Sequence, residues 1–154
     1  MMITFDTNIL VYATASVPDT KALRARDLIA RAMRGGWTIL LLQTLAEFAN
    51  VAIRKAGIPI EDIRRTIQAW RDVLPVQAAD EGDLAAALEA VRAHQLPFWD
   101  AMLWASAQRA GVQCLITEDL QDGFILQSVR FVNPFQQSND RLIDEALPPR
   151  TARR

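Results

Sequence analysis

Residues 38–42 read Thr38-Ile39-Leu40-Leu41-Leu42, an apolar run without polar alternation. That is the pattern of a parallel strand covered on both faces. The same pattern recurs on either side, at Ile3-Thr4-Phe5 and over Val112–Thr117. Shorter runs at Leu74-Pro75-Val76 and Val129–Val132 predict two weaker strands. Helical spacing fills the intervals. Asn8–Thr14 reads as a short helix. A second helix is capped by Thr20 and carries Leu23, Leu28, Ile29, Ala32 and Met33 inward until Gly35-Gly36. A third runs from Thr44 to Ala56 with Leu45, Phe48, Ala49, Ala52 and Ile53 as its stripe, closed by Gly57. Ile60–Asp72, Asp80–Gln95 and Phe98–Ala110 complete the set, the last opened by Pro97 and ended by Gly111. Strands alternating with helices predict an α/β fold: a central, mostly parallel sheet of about five short strands flanked by helices.

A chain of 154 residues with 51% hydrophobic and 23% charged side chains is expected to fold as one domain. A disordered chain is excluded, because this much apolar surface offsets the entropy of ordering. The domain is expected over residues 1–135, with 136–154 as a loosely held polar tail. The single cysteine, Cys114, lies in an apolar run and is expected to be a buried, inert thiol. No apolar stretch reaches the roughly 20 residues of a membrane span, and Met1–Asn8 lacks the features of a secretory leader. A cytoplasmic location without membrane contact is expected.

The net charge of −1 conceals an uneven distribution. Residues 21–71 hold ten Lys/Arg against four Asp/Glu, a net of +6, and residues 72–122 a net of −7. A basic part beside an acidic part suits a phosphate backbone at a metal site, although solvated helix faces give the same pattern.

In open parallel sheets, ligands bind beyond the carboxyl ends of the strands. Asp6 follows the first strand directly. Glu47 lies one helical turn past the second. Asp119 and Asp122 follow the fourth, and Asp100 sits in the first turn of the helix Phe98–Ala110. Each has an ordinary structural role open to it. Asp6 can form an Asx-turn, and Thr44 with Glu47 has capping-box spacing. Asp100 suits a helix N-terminus, while Asp119 and Asp122 suit a glycine-containing loop. Together they carry more weight. Asp6 and Asp100 lie in apolar surroundings, and no Arg or Lys is close in sequence to Asp6, Glu47 or Asp100. A divalent cation relieves the repulsion in such a cluster, and hard oxygen ligands select Mg²⁺ or Mn²⁺.

The segments I-T-F-D-T-N-I-L-V-Y, L-A-E-F-A-N-V, F-W-D-A-M-L-W-A-S-A and L-I-T-E-D-L-Q-D-G stand in this order over residues 3 to about 135. So arranged, the chain resembles a PIN-domain nuclease, and within that family the VapC-type toxins of toxin–antitoxin pairs. The resemblance implies Mg²⁺- or Mn²⁺-dependent cleavage of RNA leaving 5′-phosphate and 3′-hydroxyl ends. It assigns Asp6, Glu47, Asp100 and Asp119 to the acidic cluster, Asp122 beside the metal as an auxiliary acid, and Thr7 and Asn8 to the support of Asp6. It further implies a homodimer and a cognate antitoxin protein.

Arg24, Arg31, Arg54, Lys55, Arg64 and Arg65 are the candidates for contact with the RNA backbone. Trp99 can stack on bases, whereas Trp104 fits core packing. His94, the only histidine, lies near a helix end and reads as solvent-facing or C-capping rather than as an acid–base catalyst. Two other classes stay open. One is a non-cleaving module that binds RNA or protein. The other is a HAD-type phosphatase with Asp6 as nucleophile, against which stands Asn8 in place of the second Asp of D-x-D.

Overall fold

The computed structural model describes residues 1–149. The chain runs β1 (Ile3–Phe5), α1 (Thr7–Ala13), α2 (Thr20–Arg34), β2 (Leu40–Leu41), α3 (Leu42–Arg54), α4 (Ile60–Arg71), β3 (Val76–Gln77), α5 (Glu81–His94), α6 (Phe98–Arg109), β4 (Cys114–Ile116), β5 (Ile125–Leu126), β6 (Val129–Val132) and α7 (Asp140–Ala146), with a 3-10 turn at Gln137–Asn139. The main sheet has the order β1-β4-β6-β5, and β2 pairs with β3 beside it. All pairs are parallel except β5–β6, a short hairpin turned at Gln127, whose φ is 52°. A parallel bridge from Ile3 to Thr38 links the two sheets. Among the described residues, no helix is long and apolar enough to cross a membrane.

Why the strands lack alternation is visible in the packing. Cys114 and Ile116 point into a core formed with α1–α4 and α7, around Phe5, Leu10 and Phe48. Leu115, between them, points into a second core under α5 and α6, around Trp104 and Phe131. Both faces of the sheet are covered here, so β4 is apolar at all three positions, Cys114, Leu115 and Ile116. Cys114 is buried as expected, which pushes its thiol up to about 12. Trp104 is core, and its indole N–H donates to the Leu126 carbonyl at 3.2 Å.

Several sequence expectations are corrected. The second strand is two residues long, because the chain already turns helical at Leu42. Asp19, not Thr20, caps α2, its carboxylate accepting from the Ala22 N–H at 2.9 Å. Leu23 and Ile53 are exposed rather than inward. The hairpin strand β5 was not expected. The largest correction concerns the polar tail. Ile143 and Leu147 are fully buried, and the chain approaches so closely that a Cβ on Gly36 would stand 3.2 Å from Leu147 Cδ2. Arg31 fastens this segment, donating to Asp144 at 2.6 Å and to the Leu147 carbonyl at 3.2 Å. Residues 137–147 are therefore part of the packed body; 150–154, also in the expected tail, lie outside the described residues.

Candidate active site

Parallel pairing places Phe5 opposite Ile116, so the next residues, Asp6 and Thr117, emerge side by side at the carboxyl ends of β1 and β4. Asp6 caps α1. Its Oδ1 accepts from the Thr7 N–H at 2.7 Å, and its Oδ2 accepts from the Thr117 hydroxyl at 2.7 Å. Thr117 Oγ1 in turn accepts from the Asp119 N–H at 3.2 Å. The first turn of α1 then reaches outward in two directions. The Thr7 hydroxyl donates to Glu47 Oε2 at 2.9 Å, and Asn8 Nδ2 donates to Asp119 Oδ2 at 2.9 Å. Three consecutive residues thus tie together β1, α3 and the loop after β4.

Glu47 is not a capping residue. Because α3 begins at Leu42, Thr44 lies inside the helix and donates to the Leu41 carbonyl at 2.9 Å. Glu47 projects instead toward α1 and α6. Its Oε1 accepts from Gln43 Nε2 at 2.9 Å, and the same amide donates to the Trp99 carbonyl at 3.0 Å, next to Asp100.

The carboxyls act on one another. Burial pushes Asp6 up to about 6; the hydrogen bonds from Thr117 and Thr7 oppose this, and the charges of Asp100 and Asp119 add to it. Asp100 is also raised, first by burial and then by Asp119 and Glu47. Among the described residues, no cation is among the charges that act on either group. Nor do any three His, Cys, Asp or Glu among the described residues close into a ready-made metal cage. The donor set still fits a hard divalent cation: its charged atoms are all carboxylate oxygens. The Oδ1 of Asn8 is buried beside them with no hydrogen-bond partner among the described residues.

The structure therefore brings Asp6, Glu47, Asp100 and Asp119 to one end of the sheet. Asn8 supports Asp119 rather than Asp6, and Thr7 bonds Glu47 as well as Asp6. Asp122 stands apart. Its Oδ1 accepts from the Asn133 N–H at 2.8 Å and from Asn139 Nδ2 at 2.9 Å, which anchors the C-terminal segment. Thr117 and Gln43 carry no charge, so acids just past strand ends do not point to them in the sequence. A hydroxyl one residue past a strand is the signal that would have found Thr117. Glu118 was missed too. Burial would raise its pKa, but Lys21 and the Tyr12 hydroxyl hold the carboxyl below its usual range and fix the loop that bears Asp119.

The basic candidates divide. Arg24 pairs with Asp140 at 2.7 Å, and Arg31 is buried against Asp27 and Asp144, so both are structural. Arg64 and Arg65 pair with Glu61 and Asp62 on the exposed face of α4. Arg54 and Lys55 are exposed at the end of α3, and Arg54 follows Glu47 by seven residues, on the same helical face. His94 is exposed at the end of α5, its ring against Phe124.

Residues 3–124 match the PIN domain family. Solved structures share the fold at low identity. A toxin–antitoxin complex from Klebsiella pneumoniae superposes with a TM-score of 0.63 at 20% identity, covering 87% of this chain and 98% of that one. VapC20 from Mycobacterium tuberculosis, a sarcin–ricin-loop-cleaving toxin, gives 0.57 at 19% identity over 73% and 86%. VapBC2 from Rickettsia felis, bound to a DNA fragment from its promoter, gives 0.60 at 16% identity over 85% and 97%. No curated protein matches significantly. The family match spans most of the length, and the shared fold of the solved structures agrees with it: the chain belongs to the PIN-domain family.

Proposed function

We propose that this protein is a divalent-metal-dependent endoribonuclease and the toxin of a toxin–antitoxin pair. The observation that carries the reading is the convergence of Asp6, Glu47, Asp100 and Asp119 from four segments, with Asp6 held near pKa 6 by burial and by its acidic neighbours. Solved structures of the same fold include a toxin–antitoxin complex and a toxin, which supports a protein partner of that kind. The family match gives the phosphatase reading no support.

Asp6, Asp100, Asp119 and Glu47 are the residues that would hold Mg²⁺ or Mn²⁺. When bound, such an ion lowers the pKa of water and offsets charge on a phosphodiester. The chain's own part is orientation. The Thr117 hydroxyl and the Thr7 N–H fix both oxygens of Asp6. The Thr7 hydroxyl and Gln43 fix both oxygens of Glu47, and Asn8 aims one oxygen of Asp119. Carboxylates held this way keep their positions whether charged or paired, so little reorganisation accompanies substrate binding.

The test is the sequencing of RNA ends after induced expression of the wild type and of D6N, E47Q and D100N. New 5′-phosphate ends with the wild type alone are the expected result. Identical RNA ends with wild type and variants would refute the assignment.

A further inference from the structure

Trp99 is 64% exposed, although it immediately precedes Asp100 in the first turn of α6. Its indole is braced by Phe98, with ring centroids 5.0 Å apart at 67°. Beside it opens a groove of about 630 Å³ whose walls include Leu42, Ala46, Ala79, Met102 and Glu47. The groove is thus continuous with the acidic cluster. Gln43 joins the two, donating to Glu47 Oε1 at 2.9 Å and to the Trp99 carbonyl at 3.0 Å.

We infer that Trp99 and this groove take one unstacked base of a single-stranded RNA, next to the phosphodiester engaged by the acids. The inference rests on the nuclease reading above and names the form of its substrate. Three features select a base over a second copy of the chain. An exposed indole with a fixed neighbour offers a flat π-face, the feature single-stranded RNA binders use. The lining is mostly apolar, with Glu47 and Gln43 as its polar groups, which suits a planar ring that keeps its phosphate at the cluster. A protein face seated here would also lie over Glu47. Few lining groups read base edges, so the platform selects an unpaired base more than a particular one.

The full-length protein is titrated with an oligoadenylate of about eight nucleotides, within the span of single-stranded sites. The control is the abasic ribose-phosphate chain of equal length. Ca²⁺ replaces Mg²⁺, and a gel confirms uncut RNA. Because the indole is exposed and Gln43 holds the main chain, W99A should fold. It should lose about 5- to 150-fold in affinity for oligoadenylate, the range of base–aromatic stacking, and none for the abasic chain. W99F should keep most of the affinity. Equal loss on both ligands, or on neither, overturns the inference. So does a fall in particle mass from wild type to W99A in sedimentation, which would give the groove to a second copy. The readout does not need cleavage. A wild type that cuts no RNA but keeps the coupling sinks the nuclease reading alone. A wild type that cuts without coupling sinks the platform alone.

Discussion

The Thr117 hydroxyl donates to Asp6 Oδ2 at 2.7 Å while accepting from the Asp119 N–H at 3.2 Å, so one side chain sets the spacing of two acids on neighbouring strand ends. Asp6 is buried, and a hydrogen bond to its charged form favours ionisation. Thr117→Val keeps the shape and removes both bonds. Asp6 should then titrate above its present value of about 6, and the acidic limb of kcat/KM should move to higher pH. The lost bond should cost about 1–3 kcal/mol of stability. Thr117→Ser should restore the limb. An unmoved pH profile for T117V would show that the hydroxyl does not tune Asp6.

Metal affinity should carry the same titration. A proton on Asp6 competes with a cation for the same oxygen, so affinity should be flat above about pH 6 and fall below it. Calorimetric titration with Mn²⁺ at pH 5 and pH 7.5 measures this. Equal affinity at the two values would remove Asp6 from the ligand set.

Much of this site was legible in sequence, because parallel strands covered on both faces advertise themselves as apolar runs and acids just past them stand out. Glu47 was ambiguous for a local reason: the capping-box spacing from Thr44 is genuine, but Leu42 already begins the helix, and only the third dimension shows it. Arg31 illustrates the opposite failure. Its partners Asp144 and the Leu147 carbonyl lie more than a hundred residues away, so a buried clasp looked like a solvated basic residue. The same long-range bonds hide in the polar C-terminal sequence, where one buried face of a seven-residue helix is too short a pattern to register.

Arg31 and Arg54 should therefore part company on mutation. Arg31→Ala leaves Asp144 and the Leu147 carbonyl without their donor and should lower the melting temperature markedly. Ile143→Ala, at a fully buried position, should cost about 2–5 kcal/mol. Arg54→Ala and Lys55→Ala should leave the melt unchanged and weaken RNA binding, each reducing the salt slope by about 1 if it contacts a phosphate. A salt slope unchanged in both would remove α3's end from the RNA path.

The last expectation concerns the protein's stability in EDTA. Among the described residues, Asp100 accepts no side-chain or capping hydrogen bond, and its carboxyl is raised by burial and by the charges of Asp119 and Glu47. A carboxyl whose folded pKa exceeds its unfolded value favours folding below the unfolded value and loses that contribution as pH rises through the folded one. At neutral pH, then, the charged Asp100 opposes folding. Asp100→Asn removes the charge without removing a bond, so it should melt above the wild type at pH 7 in EDTA. The gap should close as pH falls and the wild-type carboxyl becomes protonated. Mn²⁺ reverses the order of benefit. At a hundredfold excess over the dissociation constant it should stabilise the wild type by about 2.7 kcal/mol, a melting shift of roughly 5–10 °C, and the variant much less. If Asp100 instead served only the positive end of α6, its loss would lower the melt and Mn²⁺ would change neither protein. Four melts, two proteins with and without the metal, separate these outcomes. A wild type indifferent to Mn²⁺ beside a less stable Asp100→Asn would dissolve the four-carboxylate site.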